Sequence, residues 1–310
     1  MFQALINIIL PVFLVIASGY GMTRIGFLSP AHIAGLMKFT QGFAIPCLLF
    51  AAIAELDLSS GFNPRLLFAF FLGAGICFVL GILGARWFLQ RDLQDGVAIG
   101  FCCLFSNSVL LGLPLTERAY GAGNLVGNFA IIALHSPFCY VLGIITMEIA
   151  RHRGEQWRSL LTAVVREIFS NTLILAILFG FLFNVAGWSL PKIIEDAFTM
   201  IIAAALPTAL FALGGVLVQY RPEGSIRAVL MVCIISLLIH PAITWLLGSI
   251  LVLPIELFRS AVLTAAMAPG VSAFIFANMY ERGKRIAASS VLIATGLSVV
   301  TTWFWLIILG

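Results

Sequence analysis

Apolar residues run along this chain in ten long blocks separated by short polar stretches, at 4–22, 34–54, 66–88, 96–116, 126–149, 168–187, 197–219, 228–251, 257–280 and 286–308. Each block is near the roughly 20 apolar residues that a bilayer-crossing helix needs. The pattern predicts an all-α integral membrane protein of ten transmembrane helices, with residues 1–310 forming a single membrane domain. Two blocks carry interruptions. The fourth contains Ser106-Asn-Ser-Val-Leu-Leu-Gly-Leu-Pro-Leu115 and the ninth contains Ala265-Ala-Met-Ala-Pro-Gly-Val-Ser272. Proline removes a helical hydrogen bond and glycine permits unusual backbone angles, so Gly112 with Pro114, and Pro269 with Gly270, predict discontinuous helices. Backbone freed at membrane depth needs partners or a polar cavity. A pair of interrupted helices in corresponding halves predicts a transporter's binding site.

Composition agrees with this reading: of 310 residues, 62% are hydrophobic and 10% charged, and the mean hydropathy is +1.12. The first block is expected to be a retained helix, because Met1 to Asn7 holds no positive charge and no small-residue cleavage site follows. The six cysteines all fall inside predicted spans without metal-ligand spacing, and are expected to be small core residues. Assigning loops alternately to two sides puts all seventeen basic residues on one side except Arg65, Arg118, Lys192 and Arg259. The positive-inside rule then places the chain in the cell (inner) membrane with both termini extracytoplasmic. The net charge of +4 reflects topology, and the basic loops are not expected to bind nucleic acid.

An internal repeat is legible. Pro46-Cys-Leu-Leu-Phe-Ala51 in the second span matches Pro207-Thr-Ala-Leu-Phe-Ala212 in the seventh at four of six positions, 161 residues on. Arg65 and Arg227 open the third and eighth spans, while Tyr120 with Gly123 and Tyr280 with Gly283 close the fourth and ninth. Five helices separate equivalent positions, which predicts an inverted 5+5 repeat: residues 1–150, a cytoplasmic linker over 151–166, and residues 167–310.

The order of these features, with Asn107-x-x-x-x-Gly112-x-Pro114, the proline-broken ninth span and Ser18-Gly-Tyr-Gly-Met-Thr-Arg-Ile-Gly-Phe-Leu28, resembles the auxin efflux carrier family over essentially the whole chain. The resemblance implies a secondary transporter with a scaffold half and a transport half. Helices four and nine would cross near their prolines, and the substrate would be a small organic anion such as malonate, malate or an auxin-like acid. Plant members are thought to use an acidic residue and a lysine in the third span, and Leu66 to Leu83 contains neither.

The residues point the same way without the family. A broken helix directs unpaired N–H groups and the positive end of a half-helix dipole toward the break, which suits a carboxylate. Asn107 and Ser108 supply donors before one break and Ser272 after the other; the alternative role of all three is to satisfy interhelical backbone groups. Gln41, Pro46, Pro207 and Thr208 are candidates for lining the same cavity. His135, in His135-Ser-Pro137, is the most interior ionisable side chain, hence a candidate coupling group; its alternative is a neutral histidine bonded to the carbonyl that Pro137 frees. His240, before Pro241, poses the same choice. Glu55 and Asp57 read as loop residues.

The expected function is secondary active transport of a small carboxylate by an elevator-like alternation, with a sodium-coupled symporter of the bile acid type as the alternative. No cofactor is implied beyond a coupling H+ or Na+, and the expected partners are the anion and membrane lipid, with a homodimer left open. An enzyme would gather acids, histidines or a nucleophile at one depth, and a channel would show a continuous polar stripe; neither pattern is present.

Overall fold

The computed structural model describes residues 5–55, 63–151 and 172–310, so Asp57 and the linker expected over 151–166, except Arg151, lie outside the described residues. Every regular segment among them is helical: α1 Ile6–Arg24, α2 Pro30–Ala54, α3 Pro64–Trp87, α4 Leu93–Leu104, α5 Leu113–Tyr120, α6 Val126–Ala150, α7 Thr172–Val185, α8 Lys192–Leu217, α9 Ile226–Ile250, α10 Ile255–Ala265, α11 Val271–Met279 and α12 Lys284–Leu309. Seven of these, α1, α2, α3, α6, α8, α9 and α12, are long and apolar enough to cross a membrane, and α4 and α7 are shorter apolar helices. Large apolar side chains such as Phe68, Val79, Ile149 and Phe179 stand exposed along them, as hydrocarbon-facing residues do.

Local chemistry sets the helix starts. Asn63 accepts from the Arg65 N–H ahead of α3, and Asp92 from the Asp95 N–H at 2.7 Å ahead of α4. Inside the long helices, π turns at Leu5–Ile9, Thr40–Ala44, Ser108–Gly112 and Ile235–Ile239 each end two residues before a proline: Pro11, Pro46, Pro114 and Pro241. A proline lacks the N–H that an upstream carbonyl expects, and the wider turn absorbs the mismatch. Two carbonyls upstream of these prolines find side-chain donors instead. Thr172 Oγ1 donates to Gln41 O at 3.0 Å, and Trp305 Nε1 donates to Leu237 O at 2.9 Å.

The chain packs as two compact units, each drawing on both halves of the sequence. The smaller comprises Pro11–Phe62 and Val165–Gln219, hence most of α1 with α2, α7 and α8. Its helices touch backbone to backbone at glycines. A Cβ on Gly19 would collide with the Phe211 carbonyl, and one on Gly180 would lie 2.7 Å from the Phe50 carbonyl. A shift of 161 positions turns Gly19 into Gly180 and Phe50 into Phe211, so the two contacts exchange partners under that shift.

The larger unit comprises Met1–Leu10, Asn63–Val164 and Tyr220–Gly310, and holds α3 to α6 and α9 to α12. Here α3 packs along α4, with Gly81 and Gly100 letting the helices approach so closely that a Cβ on Gly100 would sit 2.8 Å from the Phe78 carbonyl. Tyr120 and Tyr280, 160 positions apart, each carry an arginine over the ring: Arg259 at 4.7 Å and Arg151 at 4.6 Å. All six cysteines are buried and free.

Candidate functional site

The fourth and ninth predicted spans are each two half-helices joined by extended backbone, and the joints pair with each other. Asn107 N–H donates to Ala268 O at 2.8 Å, and Gly270 N–H donates to Phe105 O at 2.9 Å, with Ser106 opposite Pro269 in an antiparallel bridge. Polar backbone stripped of helical partners thus satisfies itself across the crossing.

This moves one break. The sequence pointed to Gly112 and Pro114, whereas α4 ends at Leu104, the extended residues are Phe105 to Asn107, and Gly112 is helical at φ −61°, ψ −51°. Pro114 follows the π turn Ser108–Gly112, whose wider winding absorbs the missing N–H, and a Cβ on Gly112 would meet only ordinary contacts from 3.7 Å. Ser106, and not Pro114, is the residue facing Pro269. Gly270 is needed for space, since a Cβ there would sit 3.1 Å from the Phe105 ring.

Three polar side chains of the break and its neighbour are buried and incompletely bonded. Asn107 caps the following turn, its Oδ1 accepting from Leu110 N–H at 3.2 Å, while its Nδ2 has no partner among the described residues. Ser106 Oγ is likewise unpartnered. Ser108 Oγ bonds His135 Nδ1 at 3.2 Å, which joins two predicted candidates and replaces the bond expected to the carbonyl freed by Pro137; His135 Nε2 is left unpartnered. All four residues are at most 5% exposed. A buried polar group left without a partner costs about 1–3 kcal/mol, so three in one neighbourhood mark the break as the candidate site. Across the bridge, α11 starts at Val271 with no side-chain cap from Gly270, and half-buried Ser272 stands in its first turn. The dipole end and the donors together favour an anion.

Gln41, Pro46, Pro207 and Thr208 belong to the smaller unit and the crossing to the larger. Pro46 lines an apolar groove of about 740 Å³ with Phe43, Phe50, Phe179 and Phe183. Pro207 is exposed and Thr208 partly so. His240 lies tilted against Phe70 at 5.2 Å, the ring that also meets His135 edge-on at 5.7 Å. Sequence reasoning missed Phe105 and Ser106, hidden by the attention that Gly112 and Pro114 draw. It also missed Asn128, whose polar signal within an apolar block was available.

An all-helical membrane unit whose two interrupted helices cross over unpaired polar groups is the architecture of a secondary transporter. Residues 4–306 match the family described as Membrane transport protein, and the chain belongs to that family, which includes the auxin efflux carriers. It is 25% identical over 308 residues to an "Uncharacterized transporter" of Methanothermobacter thermautotrophicus, covering 97% of both chains. It is 23% identical to "Auxin efflux carrier component 8" of Arabidopsis thaliana, over 91% of this chain and 93% of the relative. It is also 23% identical to a "Putative malonate transporter" of Rhizobium meliloti, over 95% and 92%. The protein is a membrane transporter and not an enzyme.

Proposed function

We propose that the chain moves a small carboxylate, of the mono- or dicarboxylic class to which malonate belongs, bound at the crossing of α4–α5 with α10–α11. The observation that carries this reading is the set of unpartnered polar atoms, the donor Asn107 Nδ2 with Ser106 Oγ and, in its Nε2–H tautomer, His135 Nε2, beside the uncapped start of α11. Donors without acceptors discriminate for an anion, and the printed name of the Rhizobium relative supports the class. Counting α4 with α5, and α10 with α11, as one crossing each makes ten crossings in an inverted repeat. The exchanged contacts Gly19–Phe211 and Gly180–Phe50 support that symmetry, as does the pairing of Tyr120 and Tyr280 with arginines. Two compact units, each drawn from both halves, suit an elevator-like displacement of one against the other.

Uptake of labelled malonate, malate and indole acetate into proteoliposomes tests the reading. Saturable uptake that Asn107→Ala abolishes is expected, and wild-type protein that neither binds nor moves any carboxylate sinks it. Topology has its own test in a cysteine-free background: a cysteine at Ser189 is expected to react from outside intact cells and one at Arg285 only from within. A second reading of coupling, proton carriage by His135, is favoured by the engaged Nδ1 and unpartnered Nε2 of that ring. It requires His135→Gln to abolish the response of uptake to a pH gradient while anion binding survives.

A further inference from the structure

Beyond the break, a second group of buried polar side chains joins three segments of the larger unit. Asn128 in α6 directs Nδ2 to Thr264 Oγ1 in α10 at 2.9 Å and to Thr116 Oγ1 in α5 at 3.2 Å. The three are at most 1% exposed, and Asn128 Oδ1 has no partner among the described residues. Thr264 lies in the last turn of α10, where the carbonyl end of the helix carries partial negative charge.

We propose that Asn128, Thr116 and Thr264 supply the side-chain ligands of a monovalent hard cation, sodium in the first instance, bound beside the last turn of α10. The two ends of an asparagine amide have nearly the same shape. Turned over, Asn128 brings its oxygen between two hydroxyl oxygens, giving three oxygen donors from three segments. Each threonine hydroxyl can then give its proton to a carbonyl one helical turn earlier and offer lone pairs to the ion. Neutral oxygens with no carboxylate among them suit a single charge better than two, and a half-helix carbonyl end is a recurrent place for such an ion. As placed, the amide donates to both hydroxyls and leaves its own oxygen without a partner among the described residues. This inference deepens the transport reading by naming its coupling ion, and its ion-binding part is measured without substrate.

The test is thermal unfolding of the purified full-length chain in sodium chloride against choline chloride at equal ionic strength. A saturable rise in Tm specific to sodium is expected. Asn128→Leu and Thr264→Val should raise the half-saturating sodium concentration at least about tenfold, whereas Thr116→Ser, which keeps the oxygen, and Thr146→Val, remote from the cluster, should leave it within about twofold. Asn128→Asp buries a charge that only a cation neutralises, so its Tm should fall in choline and recover in sodium by more than the wild-type shift. Equal Tm in both salts for the wild type, or a sodium response that Asn128→Leu and Thr264→Val leave unchanged, overturns the site. If these two variants do not fold, an Asn128→Asp protein indifferent to sodium overturns it equally. A sodium shift that persists in protein unable to transport any carboxylate supports the site and counts against the substrate reading alone.

Discussion

The two sides of the crossing share a backbone plan and differ in chemistry. On one side α4 packs against α11, and the contact is aromatic. Phe101 and Phe276 stack in parallel at 3.9 Å, with Phe105 and Tyr140 against them and a notch at Gly143 admitting the Phe101 ring. On the other side α5 packs against α10, and the contact is a hydrogen-bonded chain of Thr116, Asn128 and Thr264, with Ser260 Oγ donating to Asn124 O at 3.0 Å. Dispersion and shape close the first side, so it tolerates no loss of volume. The second depends on directional bonds, which an ion or water can exchange. Two interrupted helices that share one backbone plan can therefore carry different chemistry on the two sides of their crossing.

Substitutions can break this contrast. Phe101→Ala removes half of the stack from a fully buried position and should cost about 3–5 kcal/mol, read as a loss of detergent-solubilised stability. A cost under about 1 kcal/mol would show that the aromatic side is not closed by packing. Gly270→Ala pushes a methyl toward the Phe105 ring and should cost about 1–3 kcal/mol, with uptake falling more steeply because the bridge between the breaks is displaced.

Asn107→Asp sharpens the comparison. It keeps the oxygen that caps Leu110 N–H, but it buries a carboxyl at a 5% exposed position, which should cost at least about 1–3 kcal/mol of stability. It also replaces the unpartnered donor with a carboxylate, so carboxylate uptake should fall at least about tenfold by like-charge repulsion. Equal losses of stability and uptake would reduce Asn107 to a helix cap. The smallest effect is expected from His135→Gln, which retains an amide donor. Uptake should drop only about two- to fivefold and keep its sodium dependence, since the remaining donors of the break still hold the anion. Loss of pH-gradient response would transfer coupling to the histidine.

Much of this was legible in the order of residues. Apolar runs of spanning length require helices, because a bilayer offers the backbone no water, and the interruption at Pro269-Gly270 is where the second break lies. The likeness of Pro46–Ala51 to Pro207–Ala212 was legible too, and their phenylalanines are the residues that the glycines of the neighbouring helices touch. The first break was misplaced, because proline and glycine are read as helix breakers even where a π turn and a helix start accommodate them without interruption. Only tertiary structure decided that Phe105 to Asn107 leave the helix, since what holds them out is the backbone of Ala268 and Gly270, more than 160 residues away. It alone joined Ser108 to His135 and Asn128 to Thr264, since partners for buried polar groups are chosen by which helices pack together, and no local pattern in the chain encodes that choice.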